Sequence, residues 1–167
     1  MKKYSAYTLL ELLVVIAIVG LLMAFGLPAM DTYVKNDRLS AQINTLVGHL
    51  AYARSEAVLR SQQVIVCASN NTTSCAGGWA DGWIVYVDAD GNSTFSAGDT
   101  ILRAKQALAG GNTMTSSMGA SFIYDSRGFS GSGTGTFSIC DDRGVAKLKS
   151  ISISNTGRVR QGGAAVC

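Results

Sequence analysis

The sequence is poor in the residues that most catalytic and metal sites use. Its 167 residues include a single histidine, His49, and four cysteines, whose positions lack the spacing of zinc ligands. It contains no G-x-S-x-G elbow, and its glycine-rich stretches lack the lysine of a phosphate-binding loop. We therefore expect no enzymatic activity and no cofactor, and we interpret His49 as a structural residue of a helix.

Charge and proline are also scarce. Charged residues make up 15% of the chain and hydrophobic residues 47%, and the sequence has one proline, Pro28. The polar surface must therefore consist mainly of Ser, Thr, Asn and Gln, which favours a β-rich body outside the cytosol. The length suits one compact domain with an appendage. The net charge of +3 indicates little about partners, although no acidic residue follows Asp142.

The four cysteines allow three disulfide pairings. In an exported protein, paired cysteines are the expected state. We favour Cys67–Cys75, because this bond closes a short polar loop, together with Cys140–Cys167, which tethers the C-terminus. Free buried thiols are the alternative.

Residues 12–30 form an uncharged, strongly apolar run directly after Glu11. As an α-helix the run would be about 28 Å long, close to the roughly 30 Å thickness of the hydrocarbon core of a bilayer. Lys2 and Lys3 precede it, so the positive-inside rule predicts a cytoplasmic N-terminus and export of the chain after Met30. The sequence thus predicts a single membrane span, longer than the apolar region of an ordinary cleaved signal.

Helical periodicity continues beyond the apolar run. We expect one helix from about Thr8 to Arg60, with weak points at Gly20, Gly26 and Pro28, because glycine and proline disfavour a helix interior. Apolar residues recur at steps of three and four on one face of its second half: Leu39, Ile43, Leu46 or Val47, Leu50, Ala53 and Ala57.

The N-terminus resembles the class III signal of type IV pilins and type II secretion pseudopilins, with two lysines, a small residue, an aromatic residue and then TLLELLVVIAIVGLL. The resemblance implies that a prepilin peptidase cuts between Ala6 and Tyr7, and that Tyr7 is then N-methylated. It also implies that Glu11 pairs with the N-terminal ammonium of a neighbouring subunit during assembly. A carboxylate near hydrocarbon is costly unless it finds such a partner. Ala6 replaces the usual glycine and Tyr7 the usual phenylalanine, so we expect slower cleavage.

The rest of the chain resembles the FimT/FimU/GspH branch of minor pilins and minor pseudopilins, and FimT-type members most, through LAYARSEAVLRSQQVIVC, WADGWIVYVDADGN, TILRAK and SNTGRVR. The resemblance implies an α+β pilin fold, in which a long N-terminal helix packs on a globular domain of two antiparallel β-sheets. We divide the chain into a leader (1–6), a transmembrane and assembly half of the helix (7–30), an amphipathic half (31–60) and a β-rich globular domain (61–167). Short β-prone runs independently predict strands at 64–67, 83–88, 100–105, 121–125, 135–140, 149–154 and 158–160.

The stretch DADGNSTFSAGD spaces oxygen-bearing side chains much as a calcium loop does. Asp88, Asp90, Asn92 and Asp99 are the candidate ligands. The glycine stands at the wrong position and Asp99 is shorter than the usual glutamate, so we favour a turn between two strands and predict no metal.

Two tryptophans, Trp79 and Trp83, lie in the stretch GWADGW. They could form a platform on which nucleic-acid bases stack, but large aromatic residues beside strands more often pack in a core. We expect core packing.

The stretch GRVR, residues 157–160, is the strongest indication of a binding function in the globular part. In a strand, Arg158 and Arg160 project from one face about 6.6 Å apart, close to the spacing of successive phosphates along one nucleic-acid strand. Guanidinium groups bind phosphates well, and the small residues of the C-terminal tail would let a DNA backbone approach. Three further cations could widen this patch: Arg143, Lys147 and Lys149.

The motif resembles the C-terminal G-R-x-R element of FimT-type minor pilins, which implies non-specific binding of double-stranded DNA for natural transformation. We expect a subunit that joins other major and minor pilins through its N-terminal helix, passing from the bacterial inner membrane to a position near the tip of an extracellular pilus. The alternative is a structural minor pilin or type II secretion pseudopilin that primes fibre assembly without binding DNA. In that case Arg158 and Arg160 pair with acids such as Asp141 or Asp142, or decorate a solvated strand.

Overall fold

The computed structural model of the chain describes residues 8–164 and 167, with the side chains of residues 25–29 excepted. Its described residues form an α+β fold with one long N-terminal helix and two antiparallel β-sheets, as the resemblance predicted. The helix, α1, spans Leu9–Arg60. The strands are β1 (Gln63–Ala68), β2 (Gly82–Asp88), β3 (Thr100–Gln106), β4 (Thr113–Ser116), β5 (Ser121–Tyr124), β6 (Gly135–Cys140), β7 (Lys149–Ile153) and β8 (Val159–Gln161).

The chain divides into two compact units, residues 1–37 and 38–167. In the first unit α1 begins after Thr8, whose Oγ1 accepts a hydrogen bond from the backbone N–H of Glu11 at 3.2 Å. This contact is half of the capping box that the TLLE sequence encodes. The large apolar side chains from Leu9 to Met23 are 42 to 77% exposed.

Two predictions for the N-terminus fall wholly or partly outside the described residues. The leader and the cleavage site between Ala6 and Tyr7 lie in residues 1–7, and the span predicted for residues 12–30 includes the undescribed side chains of residues 25–29. In the part of the chain that is described, no helix reaches the length and hydropathy needed to cross a membrane.

In the second unit, the helix buries one face against both sheets. Leu39, Leu46, Leu50, Ala53 and Ala57 have no exposed surface, at the steps of three, four and seven that place residues on one side of an α-helix. They join side chains of both sheets in one hydrophobic core. The amphipathic pattern is thus satisfied by tertiary packing.

Each sheet has four strands, and every strand pair is antiparallel. The strand order is β3-β2-β1-β5 in the first sheet and β4-β6-β7-β8 in the second. The predicted strands recur with their ends shifted by at most one residue, and β4 is the strand that the sequence missed. Its sequence, TMTS, has Met114 as its one apolar side chain, and only Met114 is buried. An edge strand of this kind lacks the alternation that identifies a strand.

The central strands β1 and β2 of the first sheet are buried on both faces, which explains their nearly continuous apolar sequences. Val64 and Val66 belong to the main core, whereas Ile65 packs on the opposite face with Tyr86. Phe95, from the loop after β2, covers that second face and meets the Tyr86 ring edge-on at 5.0 Å.

Two disulfide bonds link Cys67 to Cys75 and Cys140 to Cys167, the pairings that the sequence favoured. Their Cα–Cα distances are 5.6 and 6.0 Å. The second bond ties the end of the chain to the last residue of β6.

Candidate nucleic-acid interface

The two arginines of GRVR lie where β7 turns back into β8. The backbone N–H of Gly157 donates to Ser154 O at 2.8 Å, and the N–H of Ser154 donates to Arg158 O at 3.1 Å. Gly157 has φ +71°, a left-handed conformation that other residues adopt only with strain. Glycine is therefore needed in this turn for its backbone conformation.

Gly157 is also needed because neighbouring elements press against the turn. A Cβ at this position would lie 2.3 Å from Gly128 O and 2.9 Å from Cε1 of Tyr124. Arg54 of α1 donates from Nε to the same Gly128 O at 2.9 Å, and the Tyr124 hydroxyl donates to Gly157 O at 3.4 Å. Burial raises the pKa of Tyr124, which keeps this hydroxyl protonated as a donor. The helix and the loop after β5 thus hold the turn in place.

Arg158 and Arg160 are both exposed, and they flank Val159, which packs against the core. Arg160 lies within β8, where side chains alternate, so it projects away from the side on which Val159 packs; Arg158 directly precedes β8, at the end of the turn. In the described part of the chain, neither guanidinium has a carboxylate or other side-chain partner. The pairing with Asp141 or Asp142 that the alternative invoked does not form there.

The surface around Arg160 consists of small polar residues. Arg160 pairs with Ser152 of β7, and Ser152 pairs with Thr136 of β6, so the three residues form one row across the sheet. Gly163 packs over this row, since a Cβ there would come 3.0 Å from Thr136 and 3.4 Å from Ser152. Small hydroxyl residues and glycine allow a phosphate backbone to approach, and hydroxyls donate to phosphate oxygens. Sequence reasoning overlooked this row, although the alternation of Ser and Ile in β7 indicates it.

The other predicted cations have different surroundings. The Nε of Arg143 donates to Asp141 at 2.9 Å, and the two side chains are only 20% and 4% exposed, so Arg143 is engaged within the fold. Lys149 lies two residues before the buried Ile151, on the same face of β7, and lines a cavity beside α1. Lys147 is exposed at the end of a short 3₁₀ turn, Gly144–Lys147. The structure therefore engages Arg143 with Asp141 and puts Lys149 on the face of β7 opposite to Ser152.

The predicted calcium ligands do cluster. Side-chain oxygens of Asp88, Asp90 and Asp99 lie within 4.8 Å of one another. Asp88 accepts hydrogen bonds from the N–H groups of Gly91 (2.9 Å) and Ser93 (2.8 Å).

The remaining carboxylates of this loop make similar bonds. Asp99 accepts from the N–H groups of Ala89 (2.9 Å) and Ser96 (2.7 Å), and Asp90 accepts from the amide of Asn92 at 2.6 Å. These bonds close the loop, as expected for Asp in turns.

The tryptophans pack in the core, as predicted. Trp79 donates from Nε1 to Gly119 O at 2.8 Å and meets the Phe137 ring edge-on at 4.7 Å. Trp83 donates from Nε1 to Nδ1 of His49 at 2.9 Å. Burial, followed by the positive charges of Arg103 and Lys105, lowers the pKa of His49. These contacts stabilise the fold.

Two protein-family models match the sequence. Residues 42–157 match type II transport protein GspH, and residues 1–27 match the prokaryotic N-terminal methylation motif. The first match ends at Gly157, so Arg158 and Arg160 lie outside it.

Known proteins with related sequences or folds agree with these matches. A fimbrial protein of Pseudomonas aeruginosa is 26% identical over 99 residues, which are 59% of this chain and 62% of that protein. The chain thus spans less than two thirds of the length of this relative. In fold, the chain is similar to the type IV minor pilin FimU of P. aeruginosa, with a TM-score of 0.63, 23% identity and coverage of 78% of this chain and 92% of FimU. It is also similar to the minor pseudopilin EpsH from the type 2 secretion system of Vibrio cholerae, with a TM-score of 0.54, 14% identity and coverage of 75% and 97%.

Proposed function

The chain belongs to the GspH family of minor pilins and pseudopilins, and on that premise we propose that it is a minor type IV pilin that binds extracellular DNA through Arg158 and Arg160. The binding is non-specific, because guanidinium groups on a strand end contact phosphates and read no base sequence. Its biological use is DNA uptake in natural transformation.

The proposal rests on two properties of Arg158 and Arg160, their exposure and their lack of a side-chain partner. They are exposed, flank Val159 at the start of β8 and have no side-chain partner in the described part of the chain, whereas Arg143, Arg127 and Arg60 are each bound to an acid. The packed turn at Gly157 fixes the strand from which they project. A preorganised pair of free guanidiniums is what phosphate binding requires.

The same family membership supports the assembly proposals. A prepilin peptidase would cut between Ala6 and Tyr7, Tyr7 would be methylated, and Glu11 would pair with the free amine of the next subunit, within the range of the matched methylation motif. Before assembly the N-terminal helix would lie in the bacterial inner membrane, and afterwards it would pack among other pilins in the fibre. The exposed apolar residues of the first unit need such partners.

A second candidate is a structural pilin or pseudopilin that primes fibre assembly without binding DNA. It is favoured by one specific observation: the family match stops before Arg158, so the family by itself gives no reason for DNA binding. In that case the two arginines are only solvent-exposed charges on an edge strand.

A binding titration over several salt concentrations separates the two candidates. The full chain, held in a non-ionic detergent, is titrated with a labelled DNA duplex and followed by fluorescence anisotropy. Two phosphate contacts predict that affinity falls about tenfold between 50 and 200 mM salt. The Arg158→Ala/Arg160→Ala variant should lose most of this binding and most of its salt dependence.

The matched control is Arg103→Gln/Lys105→Gln, which removes two positive charges at the same spacing from another edge strand, β3. It should bind DNA nearly as well as the unmodified chain. Absence of salt-sensitive binding, or equal losses in the two double variants, would reject the DNA proposal and leave the structural candidate.

A further inference from the structure

Phe129 is an unusual surface residue. Its side chain is 45% exposed, and among the described residues of 38–167 it is the one aromatic side chain in the exposed class. Other aromatic residues of this unit, such as Trp79, Trp83 and Tyr124, pack in the core. Burial therefore does not explain the presence of an aromatic ring at this position.

The turn that presents Phe129 is firmly built. Oδ1 of Asp125 accepts hydrogen bonds from the N–H groups of Arg127 and Phe129, each at 2.9 Å, and the N–H of Asp125 donates to Phe129 O at 3.0 Å. Partial burial opposes the charged form of Asp125, but the hydrogen bonds from Phe129 and Arg127 to its carboxylate outweigh burial and lower its pKa. The ring is thus held at the surface by its backbone.

Arg127 is placed over this ring. Its guanidinium carbon lies 5.4 Å from the centre of the Phe129 ring, and its Nη2 is 2.9 Å from Oδ2 of Asp125. The guanidinium is therefore fixed near the ring and leaves the ring partly open to solvent. An aromatic ring beside a fixed guanidinium is the arrangement on which nucleic-acid bases stack.

This turn adjoins the arginine pair. The residues on either side of Phe129 contact the β7–β8 turn: Gly128 O lies against Gly157, and the N–H of Ser130 donates to Asn155 O at 2.9 Å. Phe129 thus lies next to the turn from which Arg158 projects. The contact joins segments almost 30 residues apart in the sequence, so local sequence patterns could not predict it.

We propose that Phe129 stacks against an unpaired base while Arg158 and Arg160 hold neighbouring phosphates, so that the site binds single-stranded DNA more tightly than duplex DNA. The inference rests on the proposed DNA-binding function and adds a preference to it. In a duplex, each base is already stacked and paired, so only the backbone is available to the arginines. In a single strand, a base can turn onto the Phe129 ring without breaking a pair.

The test compares three labelled ligands of equal length: a single strand, a blunt duplex and a single strand whose backbone carries abasic sites throughout. The full chain in non-ionic detergent is compared with Phe129→Leu, which keeps the apolar bulk without a π face, and with Phe129→Tyr, which keeps the ring. Phe129→Leu should bind the single strand at least about fivefold more weakly than the unmodified chain does. This factor corresponds to the lower end of the binding free energy that one stacked base contributes. The variant should bind the other two ligands with affinities within about twofold of those of the unmodified chain. Phe129→Tyr should restore the preference.

A direct readout uses Phe129→Trp. Trp79 and Trp83 are buried, so quenching that appears with this variant and not with the unmodified chain reports the new ring. We expect quenching by the single strand and not by the abasic strand.

The possible results separate this inference from the proposal on which it rests. A contrary result is that Phe129→Leu weakens binding of single strand and duplex equally, or changes neither. Either result would overturn the stacking role of Phe129 and leave the arginine site intact. The ring would then be a contact for another pilin. Loss of binding to all three ligands in Arg158→Ala/Arg160→Ala is expected. If the unmodified chain binds none of the ligands, both proposals fall.

Discussion

The indole Nε1 of Trp83 donates a hydrogen bond to Nδ1 of His49 at 2.9 Å, and this bond joins the helix to the first sheet. The two rings also meet edge-on, with centres 5.9 Å apart. Nδ1 can accept this bond only while it carries no proton, so the neutral form of His49 belongs to the folded state. Burial and the nearby charges of Arg103 and Lys105 act in the same direction, because they lower the pKa of His49.

We expect the free energy of unfolding to fall as the pH drops from 7 towards 5. Because the pKa of His49 is lower in the folded chain than the value of about 6.5 in an unfolded chain, the unfolded chain binds more protons below pH 6.5. The stabilisation is complete above that pH and is lost as the pH falls through the pKa of the folded state. The loss should approach about 1 kcal/mol, the net value of one hydrogen bond, in urea unfolding at several pH values.

His49→Gln is the matched variant, since its amide oxygen can accept the same bond and does not titrate. Because the chain has one histidine, this variant should flatten the pH dependence between about 5.5 and 7. An unchanged slope in His49→Gln would show that another group is responsible.

Gly157→Ala should destabilise the fold by about 2 to 4 kcal/mol. The added Cβ meets Gly128 O at 2.3 Å in a backbone conformation with φ +71°, so steric overlap adds to backbone strain. Urea unfolding measures the change. The same variant should weaken DNA binding, because the turn that orients Arg158 has to move.

Gly133→Ala is the control for conformation alone. Gly133 has φ +81°, but a Cβ there meets no atom within 4 Å. The expected loss is about 1 kcal/mol. Similar losses in the two variants would mean that the contact between the two turns contributes little.

Asp88→Ala should cost about 2 to 3 kcal/mol whether or not calcium is present. Asp88 is almost fully buried and accepts two backbone hydrogen bonds, which would be lost together. Asp90→Ala removes an exposed carboxylate of the same cluster and should change stability by less than about 0.5 kcal/mol. Thermal unfolding with EDTA and with millimolar calcium tests both variants. A calcium-dependent rise in the midpoint of the unmodified chain, lost in both variants, would instead support a bound ion.

Glu11→Gln should reduce the amount of the protein in sheared fibres by about tenfold, equivalent to 1.4 kcal/mol of lost pairing with the amine of the neighbouring subunit. Quantitative immunoblotting of fibre and membrane fractions gives the ratio. Asp37→Asn, which removes another exposed carboxylate of α1, is the control and should leave the ratio unchanged. A normal ratio in Glu11→Gln would contradict the assembly role.

Most of the architecture could be predicted because the helix and most strands have recognisable local sequence patterns. The apolar steps from Leu39 to Ala57 identify the helix face, and the β-branched runs identify seven of the eight described strands. The missed strand, β4, depends on its pairing with β6, and its own residues carry almost no signal. Local periodicity is informative only where one face of an element is buried.

The candidate site was only partly predictable. The i, i+2 spacing predicts that Arg158 and Arg160 lie on one face, but the sequence-based patch also included Arg143, which binds Asp141 in the fold. Nothing in the linear order of cations distinguishes a paired arginine from a free one. The distinction depends on which acids the sheets bring close.

The sequence by itself determined the signal-like N-terminus, the helix, the order of most strands and the two arginines, because each depends on residues that are near one another in the chain. Only the tertiary structure decided that Gly157 lies against Gly128 O, to which Arg54 also donates, and that Phe129 thereby lies next to the turn that precedes Arg158. These contacts join residues separated by about 30 to 74 positions. Such distant segments meet through the pairing of strands and the packing of the helix, which minimise exposed apolar surface over the whole second unit.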